Sequence, residues 1–223
     1  MTTPITPDRA RGVSRRWPLI SGVTALGVAL LLGAIVALRS TPFESDAEWL
    51  DEILEHRSPV WDIPALVMNF VGGGWFGVFA VPIAVAVTFL IIRKPWSALY
   101  FVLASALSAG VVQLLKTVVG RARPEEMLVT ADFGSFPSGH VANAATVVVT
   151  LAILFQRVWV WAVGVAYVIV MALSRTYLGA HWLSDTIGGM LLGTAVAVLL
   201  WAPLAVRLQK EWSAPGGVDS VTP

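Results

Sequence analysis

Apolar positions in this chain come in long unbroken runs, and polar residues collect in the short stretches between them. A helix that crosses a bilayer needs roughly 20 mostly apolar residues. Six runs qualify: about 17–38, 75–92, 96–119, 138–155, 158–177 and 182–206. They predict an all-α polytopic membrane protein of six transmembrane helices. A signal peptide is the other reading of the first run. Its apolar length and the lack of a small-x-small cleavage site favour a retained anchor. The segment 39–74 between the first two runs has its own pattern. Trp49, Leu50, Ile53 and Leu54 share a face at helical spacing, opposite acids, and 64–70 is apolar but too short to cross. Two interfacial helices are expected there, with Gly72-Gly73-Gly74 as a flexible turn into the second span. Gly189-x-x-x-Gly193 in the last run permits close helix approach. The implied organisation is a cytoplasmic tail (1–16), a six-helix membrane domain (17–206) and a second cytoplasmic tail (207–223), whose Gly/Pro/Ser-rich end is expected to be disordered.

Composition agrees with a membrane solvent. Charged residues make up 13% of the 223 positions and hydrophobic ones 57%, against about 25% charged in a soluble domain. Mean hydropathy is +0.76. A net charge of +1 implies no polyanion-binding surface, and so no nucleic-acid partner. The absence of cysteine excludes a thiol nucleophile and thiolate metal sites.

Charge placement sets an orientation. Arg9, Arg11, Arg15, Arg16, Arg93, Lys94, Arg157, Arg207 and Lys210 fall on one side if six helices alternate. The positive-inside rule makes that side cytoplasmic. A multi-pass plasma (inner) membrane protein with both termini in the cytoplasm is expected. Trp17, Trp75, Trp96, Trp159, Trp182 and Trp201 sit near span ends, where amphipathic rings are favoured.

The other side holds Arg39 and Arg57, diluted by Glu44, Asp46, Glu48, Asp51, Glu52, Glu55 and Asp62; Lys116, Arg121, Arg123 and Arg175 fall at the extracytoplasmic ends of the third and fifth spans, where the candidate groups form three clusters. The first is Lys116-x6-Arg123-Pro124: two cations leaving a helix end, which alone could be snorkelling to headgroups. The second is Phe136-Pro137-Ser138-Gly139-His140. Proline suits a first helical position, and the amides of Ser138, Gly139 and His140 would then be free to bind an anion at the helix start. His140 stands beside them as a proton donor or acceptor. The plainer alternative is an ordinary helix start. The third is Ser174-Arg175-x5-His181-x3-Asp185. At i, i+4 spacing Asp185 can fix one nitrogen of His181 and leave the other to attack, while Arg175 offers a phosphate fork. The alternative is a structural His-Asp pair. A six-helix topology brings all three clusters to one membrane face, a combination no structural role requires.

These motifs, in this order and spacing, resemble the three-part signature of the type 2 phosphatidic acid phosphatase family, and the topology is similar to its bacterial six-span members. The resemblance implies roles. His181 would be the nucleophile that becomes phosphohistidine, Asp185 would orient it, and His140 would protonate the leaving oxygen and then activate water. Lys116, Arg123 and Arg175 would hold the phosphoryl oxygens, with Ser138 and Gly139 as further donors. No cofactor or metal is expected. Glu125, Glu126 and Asp132, in the same loop, read as moderators of the positive field. Arg121 lies outside the signature, either touching a second phosphate or headgroup or standing as an exposed loop charge. The expected partner is a lipid phosphate in the bilayer: a polyprenyl pyrophosphate first, then phosphatidylglycerophosphate or phosphatidic acid. A lipid phosphotransferase or a non-catalytic lipid-phosphate transporter are the competing functions.

Overall fold

A computed structural model describes residues 7–213, with side chains from Arg16. The described residues form eight α-helices: α1 (Pro7–Ala37), α2 (Glu44–Glu55), α3 (Pro59–Gly72), α4 (Val81–Ile91), α5 (Pro95–Val119), α6 (Gly139–Phe155), α7 (Val158–Tyr177) and α8 (Leu183–Ser213). A π-helical turn, Phe76–Ala80, leads into α4.

The all-α membrane architecture holds, but the expected six spans do not. Among the described residues four helical segments are long and apolar enough to cross a bilayer: Arg16–Ala37, α5, α7 and α8. A fifth is reached only if α3 and Phe76–Ile91, bent by 45°, are taken as one span. Two physical causes account for the shortfall. The second predicted span is set off from α3 by a break at Gly73 and opens on the π-helical turn, so only 11 α-helical residues, Val81–Ile91, follow that turn. The fourth predicted span is α6, at 17 residues. A rise of 1.5 Å per residue makes it about 25 Å long, short of the roughly 30 Å hydrocarbon layer. It is also the innermost element, with ten buried residues, packed on α5, α7 and α8. Two helices, α2 and α3, occupy the segment where an interfacial pair was expected, and α3 also makes a bent apolar pair with Phe76–Ile91. At the other end, α8 runs on to Ser213, seven residues beyond the expected end of the last span. The disorder expected at the C-terminal end falls outside the described residues from 214 on.

Packing is set by small residues and internal hydrogen bonds, as expected where lipid gives no hydrophobic drive between helices. A Cβ on Gly189 would lie 2.5 Å from the Ser138 carbonyl, and one on Gly193 2.2 Å from that of Ala142. The two glycines therefore let α8 ride directly on the α6 backbone. Thr146 donates to Ser108 at 2.9 Å across α6 and α5, and Tyr100 to the Ala197 carbonyl at 2.8 Å. Large apolar side chains such as Val23, Leu31, Ile83, Leu114 and Val163 are left on the outer surface.

The two ends of the bundle differ. At one, Glu211 of α8 accepts from the Trp96 and Ser97 amides and from the Ser97 hydroxyl, satisfying the start of α5. Lys94 and Arg207 lie over Trp212 and Trp96 there. At the other end the C-termini of α5 and α7 meet the N-termini of α6 and α8, and that end holds the chemistry.

Candidate functional site

Local backbone rules bring the three motifs together. Gly120, in the left-handed conformation (φ 60°), ends α5 one turn after Lys116. The chain then runs extended through Arg123-Pro124. α6 begins at Gly139 with Ser138 as its N-cap, so Pro137 precedes the cap rather than opening the helix as expected. α7 ends at Tyr177, and Gly179 (φ 65°) turns the chain toward His181 and the first turn of α8, which carries Asp185.

A cavity of about 570 Å³ is lined by Lys116, Arg123, Gly139, His140, Arg175 and His181, six of the eight expected site residues. The other two sit behind it. Ser138 is fully buried, and its hydroxyl has no partner among the described residues. Its amide donates to the Asp185 carbonyl at 2.9 Å, so it is not free for an anion as the sequence suggested. Gly139 and His140, in the first turn of α6, are the residues of this helix start that line the cavity.

His181 is 3% exposed. Its Nδ1 lies 2.8 Å from the Ser135 carbonyl, which can only accept, so Nδ1 carries the proton and donates. Nε2 is left with its lone pair, 3.4 Å from Arg123 Nη1. Asp185 is close, with Oδ2 3.6 Å from Nδ1, but Ser135 makes the direct bond. Burial pulls the imidazole pKa down to about 4, with Asp185 resisting and Arg175 and Arg123 adding to the drop.

The cations already have partners. Lys116 Nζ and Arg123 Nη2 converge on one oxygen of Asp132, at 2.8 and 2.7 Å. Burial pushes the Asp132 carboxyl up, but the two cations outweigh it and hold it below the ordinary carboxylate range. Arg175 donates to the Asn69 side chain. His140 Nε2 donates to the Asn69 backbone carbonyl at 3.0 Å. A Cβ on Gly73 would fall 2.1 Å from that nitrogen. The end of α3 therefore closes over His140, which the notion of Gly72–Gly74 as a plain flexible turn did not foresee.

Residues 97–207 match the profile of the PAP2 superfamily. The chain belongs to that superfamily. The six-span description that went with the resemblance is set aside by the four or five spans counted above. Among curated PAP2-like relatives, the chain is 40% identical over 65 residues to undecaprenyl-diphosphatase of Sulfolobus acidocaldarius, covering 29% of this chain and 31% of that protein. It is 30% identical over 118 residues to phosphatidylglycerophosphatase B of Bacillus subtilis, covering 48% and 58%. A lipid A 4'-phosphatase of Bacteroides thetaiotaomicron is 28% identical, with 72% and 78% covered. The matches to the first two thus span less than two thirds of those relatives' own length. Two solved structures share the fold. The PAP2 type phosphatidylglycerolphosphate phosphatase from Bacillus subtilis superposes with a TM-score of 0.73 at 24% identity, over 81% of this chain and 94% of that one. Aquifex aeolicus LpxE gives 0.65 at 24%, over 73% and 98%.

Sequence reasoning missed several residues of this PAP2 site. Ser135 bonds His181 through its backbone carbonyl, which no residue type signals, and Asn69 meets His140 through its carbonyl and Arg175 through its side chain. Arg121 was noticed and left open. It is neither an exposed loop charge nor a cavity lining: its side chain is 9% exposed and bonded to Asp46 and Asp185.

Proposed function

We propose that this PAP2 protein is a membrane lipid phosphatase that hydrolyses a lipid-linked phosphate or pyrophosphate through phosphohistidine at His181, without a metal. One observation carries the reading. His181 has its Nδ1 proton committed to Ser135 and its Nε2 lone pair directed to a cavity bearing Lys116, Arg123 and Arg175. Nε2 attacks phosphorus while the bond to the leaving oxygen breaks. His140 supplies the proton to that oxygen. His140 then takes a proton from water, whose oxygen displaces the P–N bond and releases inorganic phosphate. The cations and the Gly139 and His140 amides balance the charge of the transferring group, which is most of what phosphoryl transfer needs.

A polyprenyl pyrophosphate is the favoured substrate, followed by phosphatidylglycerophosphate and phosphatidic acid. The names borne by the relatives support a lipid phosphate of this kind. The cavity is assigned to the extracytoplasmic face. The basic end of the bundle, with Arg93, Lys94, Arg157, Arg207 and Lys210, is the opposite one, and this argument does not depend on the span count. The test is phosphate release by purified protein in detergent with EDTA, from undecaprenyl pyrophosphate, phosphatidylglycerophosphate and phosphatidic acid. Release by wild type and none by His181→Ala is expected. Release that stops with EDTA, or persists in His181→Ala, overturns the mechanism. Faster hydrolysis of phosphatidic acid than of the pyrophosphate overturns the substrate preference.

A further inference from the structure

Arg121 is a charged group that the proposed reaction does not use, and its surroundings are specific. Asp46, in the first turn of α2, is 1% exposed. Its Oδ1 accepts from the Ser184 amide at 2.8 Å, and its Oδ2 from the Ser184 hydroxyl at 2.6 Å and from Arg121 Nη2 at 2.7 Å. Arg121 Nη1 donates to Ser184 Oγ at 2.8 Å and to Asp185 Oδ1 at 2.5 Å. Phe43 and Trp182 lie beside the guanidinium, with ring centres 5.9 and 5.6 Å away. One planar fork therefore joins α2, the loop after α5 and the first turn of α8, enclosed by aromatic rings.

The consequence for Asp185 is geometric. Its Oδ1 is taken by Arg121. Its Oδ2 accepts from the Trp182 amide at 2.9 Å and faces His181 Nδ1. A carboxylate held at both oxygens cannot rotate, so the edge it turns to His181 is fixed. Asp46 in turn shares the guanidinium, so Arg121 does not collapse wholly onto Asp185 and cancel its charge.

We propose that Arg121, held by Asp46, is a positioning residue: it orients Asp185 toward His181 and so makes the outer helix α2 part of the catalytic apparatus. This rests on the reading of His181 as nucleophile. Arg121→Lys keeps the charge and loses the fork. Asp46→Asn is isosteric and leaves both Arg121 and Asp185 in place.

The experiment is steady-state phosphate release by wild type, Arg121→Lys, Asp46→Asn, Asp185→Asn and the Arg121→Lys/Asp185→Asn double variant. It is paired with ¹⁵N spectra of histidine-labelled protein, in which there are three histidines to resolve. For Arg121→Lys, kcat is expected to fall at least tenfold with KM within about twofold, and Asp46→Asn should change it in the same direction. In the Asp185→Asn background Arg121→Lys should cost less than twofold, because a residue acting through Asp185 has nothing left to position. The His181 ring ¹⁵N signals should shift in Arg121→Lys, while Nδ1 stays protonated through its bond to the Ser135 carbonyl. A full cost in the double variant, a change confined to KM, or an unmoved His181 signal overturns the proposal. If wild type releases no phosphate from any lipid, the phosphatase reading falls, and the His181 signal still decides whether Arg121 sets the imidazole. If Arg121→Lys does not fold, Asp46→Asn carries both readouts.

Discussion

At the scale of single residues, the protonation of His181 is the feature with the most direct kinetic consequence. In the proposed reaction the imidazole attacks only when neutral. An ordinary histidine is half protonated near pH 6.5, but burial holds this one at about 4. The proposed nucleophile is thus neutral at mildly acidic pH, and the limb of kcat/KM that belongs to it is expected near pH 4. A limb near 6.5, matched by titration of the His181 ring ¹⁵N signals at that pH, would contradict the burial argument. Stability carries the same sign. Between about pH 6.5 and 4 the unfolded chain binds a proton that the folded one refuses, so stability falls as pH drops through that window. The eight expected positions stood out in the sequence because each is a charged, histidine or helix-opening residue interrupting an apolar run, where such residues are rare, and six of them line the cavity. The groups that hold them were not. Ser135 and Asp46 are ordinary residue types, and the partners they serve lie 46 and 138 positions along the chain.

At the scale of elements, the contact between the end of α3 and the start of α6 is the most exacting. Gly73 leaves no room for a Cβ beside His140. The nearest atoms belong to the functional end of the imidazole, so Gly73→Ala must displace either the ring or α3. A fall in kcat of tenfold or more is expected, on the scale that a positioned general acid contributes. Wild-type turnover in Gly73→Ala, measured on the best lipid of the panel, would mean that α3 yields freely. Helix existence and direction were readable from apolar run length. The span count was not, because a run of apolar residues records neither a π-helical break nor a helix buried on all sides. α6 has the composition of a span and the length of a core helix. Its hydrophobicity comes from packing against α5, α7 and α8, which composition alone does not distinguish from exposure to lipid.

At the scale of the whole molecule, one end is basic and capped by Glu211, and the other holds the cavity. The natural lack of cysteine makes that polarity measurable. Phe133 is 70% exposed at the cavity end, and Arg157 lies in the turn at the other. In intact cells a membrane-impermeant maleimide is expected to label Phe133→Cys and to spare Arg157→Cys until the membrane is opened; the reverse pattern would invert the orientation. The Asp46–Arg121–Asp185 contact also bears on how such a protein can be divided. The stretch that identifies the superfamily runs from 97 to 207 and contains every motif. Asp46 lies far upstream of it. Cut out or grafted onto another scaffold, that stretch would carry a sequestered guanidinium and carboxylate without the counter-charge that completes them, and losing one partner of a buried charge set typically costs about 3–5 kcal/mol. The unit that inheritance has kept recognisable is therefore smaller than the unit that can work, and a recombinant boundary drawn at the former would leave the latter behind.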